Sequence, residues 1–167
     1  MITNNITRLL DSRKVAYTAF ELPAEKLGAI ETARRLGVPV SQVFKTIVIL
    51  REKPGKPILA VIPGDCQANL KAIAGAVNEK KVHVPTQREA EQLTGLQAGG
   101  ISPLALINKG FQVLIHQSAA SFELIHVSGG QRGLNLRLPV KALADLTHAR
   151  FAEIASPLPE GALDDGE

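Results

Sequence analysis

Lys45 is a cation inside an otherwise apolar run, Val43-Phe44-Lys45-Thr46-Ile47-Val48-Ile49-Leu50. The β-branched density reads as a strand buried on both faces, where an ammonium is costly unless a partner or a ligand meets it. Two placements answer that cost: a cleft mouth, or a strand edge where the head snorkels into water. Two glycine-rich segments could also carry chemistry. In Gly99-Gly100-Ile101-Ser102-Pro103, adjacent glycines let backbone N–H groups approach a ligand, and paired donors of that kind suit an ester carbonyl or its oxyanion. In Ser128-Gly129-Gly130-Gln131-Arg132-Gly133, an arginine among glycines would serve a phosphate. Each segment alone is equally a plain connecting loop or hairpin turn.

Other chemistries find less support. Cys66, in Pro63-Gly64-Asp65-Cys66, follows a strand as a nucleophile would, but no local histidine motif activates it. His83, His116, His126 and His148 show no metal-ligand spacing and read as structural histidines, so no metal site and no cofactor is expected. Neither a G-x-S-x-G elbow, a Walker loop nor a G-x-G-x-x-G run is present.

The elements that would position these residues follow from periodicity and capping. Ile6, Leu9 and Leu10 mark a short amphipathic helix, and Val15 to Leu22 a strand. A helix over Ile30 to Leu36 is stopped by Gly37 with Pro39 beyond it. Strands Phe44 to Leu50 and Ile58 to Ile62 join across Lys53-Pro54-Gly55-Lys56 as a hairpin. Asn69 caps a helix through Leu70, Ile73, Ala74 and Val77, and Lys81 to Val84 is a short strand. Thr86 to Glu89 is a capping box whose helix ends at Gly95. Strands follow at Phe111 to His116, Glu123 to Val127 and Leu134 to Leu138, then a helix opened by Pro139. Strands in hairpins with interspersed helices indicate α+β rather than a doubly wound parallel sheet.

The 167 residues suit one domain with a real core. Aromatics make up 4% with no Trp, which disfavours stacking platforms for single-stranded nucleic acid. The start has no signal-peptide pattern and no apolar run is of membrane-spanning length, and a lone cysteine fits a reducing, cytoplasmic setting. Residues 153–167 hold five acids and no base, leaving the preceding part with 19 bases against 11 acids, a net charge of +8. Such a body attracts a polyanion modestly and salt-sensitively. From Ser156 the acidic, Pro- and Gly-containing tail reads as disordered, so the expected domain is 1–155 with a tail over 156–167.

Taken together and in this order, Phe44-Lys45-Thr46, Gly99 to Pro103 and Ser128-Gly129-Gly130-Gln131-Arg132-Gly133-Leu134 resemble the YbaK/EbsC family of aminoacyl-tRNA deacylases. That superfamily includes the editing insertion domain of bacterial prolyl-tRNA synthetase, and the resemblance runs from about residue 5 to residue 154. It implies a compact single α+β domain with a strongly bent, barrel-like mixed sheet and flanking helices. It implies removal of a wrongly attached amino acid from the 3′ end of a tRNA, a task in translation fidelity, with the YbaK branch associated with Cys-tRNA(Pro). By resemblance Lys45 is the essential lysine and Gly100 belongs to the carbonyl-facing loop. Phe20, Thr46, Gly99, Ile101, Ser102, Pro103, Ser128, Gly129 and Asn135 are the implied substrate contacts. Two departures stand out. The family commonly has G-L-D where this chain has Gly133-Leu134-Asn135, and the pocket aromatic, often Tyr, falls on Phe20 or Tyr17.

The implied route explains why no triad is needed: the cysteinyl thiol attacks its own ester, releasing a thiolactone and free tRNA, so the enzyme counts as a lyase or a hydrolase according to route. Alternatives are a water-using deacylase for Ala-, Ser- or Thr-tRNA, and a non-catalytic module that binds tRNA or the synthetase. The implied partners are aminoacyl-tRNA and prolyl-tRNA synthetase in complex with tRNA, with no role for DNA or a membrane.

Overall fold

Strand pairing sorts the chain into three sheets with helices laid against them. The computed structural model describes residues 2–159 and 161. In chain order the elements are α1 (Asn5–Ser12), β1 (Thr18–Glu21), α2 (Ala29–Leu36), β2 (Phe44–Arg51), β3 (Ile58–Pro63), β4 (Cys66–Ala68), α3 (Leu70–Ala76) and β5 (Val82–His83). There follow α4 (Gln87–Thr94), β6 (Gln112–His116), β7 (Leu124–Ser128), β8 (Leu134–Pro139), α5 (Val140–Thr147), β9 (Arg150–Ala152) and β10 (Ala155–Pro157). A 3-10 turn spans Pro103–Lys109.

The larger sheet has the order β5-β2-β3-β6-β9. Its β2–β3 hairpin is antiparallel, while β3–β6 and β6–β9 are parallel, so the sheet is mixed. Every residue of β3 is buried, as expected of a central strand covered on both faces. One face (Phe44, Val48, Leu59, Val61, Val113, Ile115) joins the main core with α1, α5 and the second sheet. The other (Ile49, Ile58, Ala60, Ile62, Leu114) packs on α3.

The second sheet is an antiparallel meander, β1-β8-β7, whose Leu134, Leu136, Leu138, Ile125 and Val127 enter the main core. A parallel bridge between Val43 and His126 ties it to the start of β2. The mixed α+β class is as the sequence implied. Its bending is achieved by three hydrogen-bonded sheets, none of them closed, rather than one barrel-like sheet.

Local chemistry explains the boundaries. Asn4 caps α1 by accepting from Ile6 N and Thr7 N at 3.0 Å, and Thr7 Oγ1 reciprocates to Asn4 N. The Thr86/Glu89 capping box forms, and Gly37 and Gly95 end α2 and α4 in the left-handed conformation. The third sheet pairs β10 with β4 and takes in Ser156 and Pro157, the first residues of the expected tail. Leu158 N donates to Asp65 O, which extends the contact. The remainder of that tail, at residue 160 and over 162–167, lies outside the described residues.

Leu136, fully buried on the middle strand of the meander, is expected to cost about 2–5 kcal/mol when replaced by alanine. Urea unfolding with an unchanged slope checks this; a loss below about 1 kcal/mol would mean the meander contributes little to the core.

Candidate active site

On β2 the side chains alternate between two cores, and Lys45 shares the face of Ile47 and Ile49. It is only 8% exposed, so the strand-edge reading with its head in water does not hold. Its Nζ donates to Gly64 O at 3.3 Å, and a cleft opens beside it. The cleft wall is made by Leu22, Glu25, Leu27, the start of α2 at Gly28 and Ala29, Thr46, Gly99, Ile101, Ser128, Gly133 and Asn135. Lys45 is the cation in this lining and Glu25 the carboxylate. The cavity measures about 50 Å³, room for a few waters or a small side chain.

Gly64 brings these walls together. Its N–H donates to Val43 O at 2.7 Å while its carbonyl accepts from Lys45. A Cβ placed on it would lie 2.6 Å from Ala29 Cβ and 2.9 Å from Val40 Cγ2. The absence of a side chain thus lets the start of α2 close against the end of β3.

The glycine loops meet each other as much as the cleft. Gly99, at φ +90°, lines the cleft, with its carbonyl 3.5 Å from Ser128 Oγ. Gly100 lies behind it. Its N–H donates to Gln97 O at 2.8 Å, and a Cβ there would sit 2.8 Å from Gln131 Cα. Of the loop expected to face the carbonyl, the Gly100 amide closes a turn, and its lack of a Cβ seats one loop on the other. Arg132, expected to serve a phosphate, donates through Nε to Ala98 O at 2.7 Å and clamps the same contact.

Ser102, fully buried, caps the 3-10 turn by accepting from Leu104 N, and Pro103 is that turn's first residue. Gly129 N donates to Leu134 O, and a Cβ on it would collide with the Leu134 side chain at 2.5 Å. These three build the loops rather than line the cleft. Ile101, Thr46, Ser128, Gly99 and Asn135 lie in the cleft lining.

On the meander, Phe20, Asn135 and Ser128 lie side by side, since Asn135 pairs in register with both Phe20 and Ser128. Of the two aromatic candidates, Tyr17 donates its hydroxyl to Asp11 and lies away from the cleft. Phe20 instead packs 5.5 Å from the His126 ring, with the Arg137 guanidinium 5.5 Å from the Phe20 ring centroid. His126, read from sequence as merely structural, touches the cleft chemistry: its Nδ1 is 2.9 Å from Asn135 Oδ1. Burial pushes its pKa below the usual histidine value, the Asn135 contact pulls back upward and the Arg137 charge adds to the lowering. The signal that could have found it is the hairpin register that puts residue 126 diagonal to 135.

Cys66 is the thiol nearest this region. Burial and then the Asp65 carboxylate push its pKa up to about 11, against the lowering pull of Lys45. It is therefore a protonated thiol near neutrality and a poor nucleophile. His116 serves structure, its Nδ1 accepting from Ile154 N at 3.1 Å.

Comparison with known proteins places this geometry. The family model for the aminoacyl-tRNA editing domain matches residues 24–146. A protein of Enterococcus faecalis (strain ATCC 700802 / V583), carrying the provisional name Cys-tRNA(Pro)/Cys-tRNA(Cys) deacylase EbsC, is 35% identical over 154 residues. That match covers 91% of this chain and 93% of its own length. A proline–tRNA ligase of Acidithiobacillus ferrooxidans (strain ATCC 53993 / BNL-5-31) is 26% identical over 95% of this chain, which corresponds to 30% of the ligase. The fold matches a solved structure provisionally described as a trans-editing enzyme for prolyl tRNA synthetase. The TM-score is 0.75 with 23% identity, covering 93% of this chain and 99% of that one.

Two outcomes test the site's construction. Gly64→Ala should destabilise the protein by about 1–3 kcal/mol through forced displacement of α2, read by thermal or urea unfolding. A neutral effect would show that α2 gives way without cost. Alkylation of Cys66 by iodoacetamide should be slow at neutral pH and keep rising about tenfold per pH unit to beyond pH 10. A plateau by about pH 9 would contradict the raised thiol.

Proposed function

This chain belongs to the aminoacyl-tRNA editing-domain family, and from that premise we propose that it is a trans-editing deacylase that removes cysteine from Cys-tRNA(Pro). The observation that carries the reading is Lys45, an ammonium buried to 8% exposure beside a small cleft and oriented by the Gly64 carbonyl. An ammonium so placed stabilises an anion that develops next to it far more than one in water would.

In the proposed reaction the cysteinyl ester enters with its carbonyl toward Lys45. The substrate thiol attacks the carbonyl carbon, forming the C–S bond, and the carbonyl electrons move onto oxygen. Collapse breaks the bond to the ribose oxygen, and the proton lost by the thiol ends on that oxygen through solvent. The products are the cyclic thiolactone and free tRNA. Holding nucleophile and carbonyl in one geometry can contribute about 7–11 kcal/mol of barrier reduction. Lys45 supplies charge stabilisation to the oxyanion, with Thr46 and Ser128 as polar wall contacts. Gly99 and Ile101 form the floor of the pocket.

The raised pKa of Cys66 supports this division of labour, because the thiol closest to the site is held protonated. The small cavity favours a short amino-acid side chain. Selection of tRNA(Pro) is assigned to a complex with prolyl-tRNA synthetase, a reading supported by the similarity to a proline–tRNA ligase. The protein's working compartment is taken to be the cytoplasm, where charged tRNA is made.

Deacylation of Cys-, Ala-, Ser- and Thr-charged tRNA, measured side by side, tests the substrate. The expected result is fastest loss of cysteine with thiolactone trapped as product. Free cysteine as the first product, or preference for an amino acid without a thiol, points to a water-using hydrolase. An ester left intact at stoichiometric protein makes the chain a binding module. Lys45→Ala should lower the rate by about 10²–10³-fold, whereas a wild-type rate would remove Lys45 from the mechanism.

A further inference from the structure

His126 is 1% exposed, and its Nδ1 contacts a side chain of the cleft wall, Asn135, at 2.9 Å. The Asn135 atom at that contact is Oδ1, which can only accept, so Nδ1 of His126 carries the proton. The imidazole is then a donor at Nδ1 and bare at Nε2, which is itself buried without a partner among the described residues. With Oδ1 so engaged, the amide is pinned in one of its two orientations. Its Nδ2, which meets no hydrogen-bonding group among the described residues, is left to the cleft.

From this geometry we infer that His126 is a positioning residue: it fixes the Asn135 amide so that the cleft presents an N–H donor, not an acceptor, to the substrate. The inference rests on the deacylase reading for its consequence but not for its structural content. An ester carbonyl or ribose oxygen is the kind of group such a donor meets, and it would share the developing negative charge with Lys45. A carboxylate at position 135 would offer only acceptors there.

The surroundings keep the imidazole neutral and in place. Arg137, its cross-strand neighbour on β8, is a like charge that opposes protonation. From β1 the Phe20 ring covers it at 5.5 Å, and Val43 bridges to it ahead of β2. No carboxylate acts on it from any of these elements.

Nitrogen-15 NMR of the histidine-labelled full chain reads the tautomer without any need for activity. The expected spectrum shows protonated Nδ1 and bare Nε2 at neutral pH, persisting to lower pH than an ordinary histidine allows. Asn135→Asp should move the His126 titration to higher pH, because the new carboxylate supports the imidazolium. An Nε2–H tautomer, or a titration indifferent to Asn135→Asp, would overturn the pairing. On the kinetic side, His126→Leu should lower kcat about tenfold, the scale of one hydrogen bond, with KM little changed. His126→Asn, which keeps a donor near the Nδ1 position, should restore most of it; equal losses in both variants, or none in either, would remove the positioning role. If the wild-type chain deacylates no charged tRNA, the deacylase proposal falls, while the tautomer still decides the His126–Asn135 arrangement.

Discussion

Burying the Lys45 ammonium costs desolvation, and the surrounding chain is arranged around that cost. One of its partners is a backbone carbonyl, Gly64 O, at the end of β3. A carbonyl offers a partial charge rather than a full one, and this contact orients the ammonium. The main-chain contact holds the lysine against the end of β3. It also makes the end of β3, the start of β2 and the start of α2 interdependent, since Gly64 serves all three at once.

The same economy governs the glycines. A sequence shows that a position tolerates only close approach, but not what approaches. Gly100 and Gly129 meet other parts of this chain, Gln131 and Leu134, where a ligand had been expected. Gly99 meets both the cleft and the lysine-bearing segment before α2, with Lys26 Cα 3.4 Å from a notional Cβ. In each case the glycine is explained by crowding, and only the assembled fold distinguishes crowding by protein from room for substrate.

What was legible in the sequence follows from the range of the interactions. Helix α4 announces itself through a cap that spans three residues and α1 through the spacing of Ile6, Leu9 and Leu10, while β2 and β3 stand out as dense apolar runs and β8 as an apolar–polar alternation. The strands β4, β9 and β10 are three residues each, too short to carry a period, and are strands because distant partners pair with them. Lys45 was conspicuous because its neighbours are apolar. His126 was not, since nothing local marks it; its role depends on a partner across a hairpin whose register no local pattern prints.

That register also connects the two halves of the cleft. Val43 precedes Lys45 by two residues and forms the parallel bridge to His126, whose ring contacts Asn135. The cation on one sheet and the amide on the other are thus linked through this backbone bridge, beside the Gln42 side chain's bond to Leu124 O. Because side chains alternate faces along a strand, a slip of one residue at β2 would send Lys45 into the main core. Such a slip is opposed on both faces, by the Leu59 and Val61 side of the hairpin and by the Ala60 and Ile62 side. The apolar strand that makes Lys45 look misplaced in the sequence is therefore what holds it in position: two buried faces leave one register, and that register delivers the ammonium to the cleft.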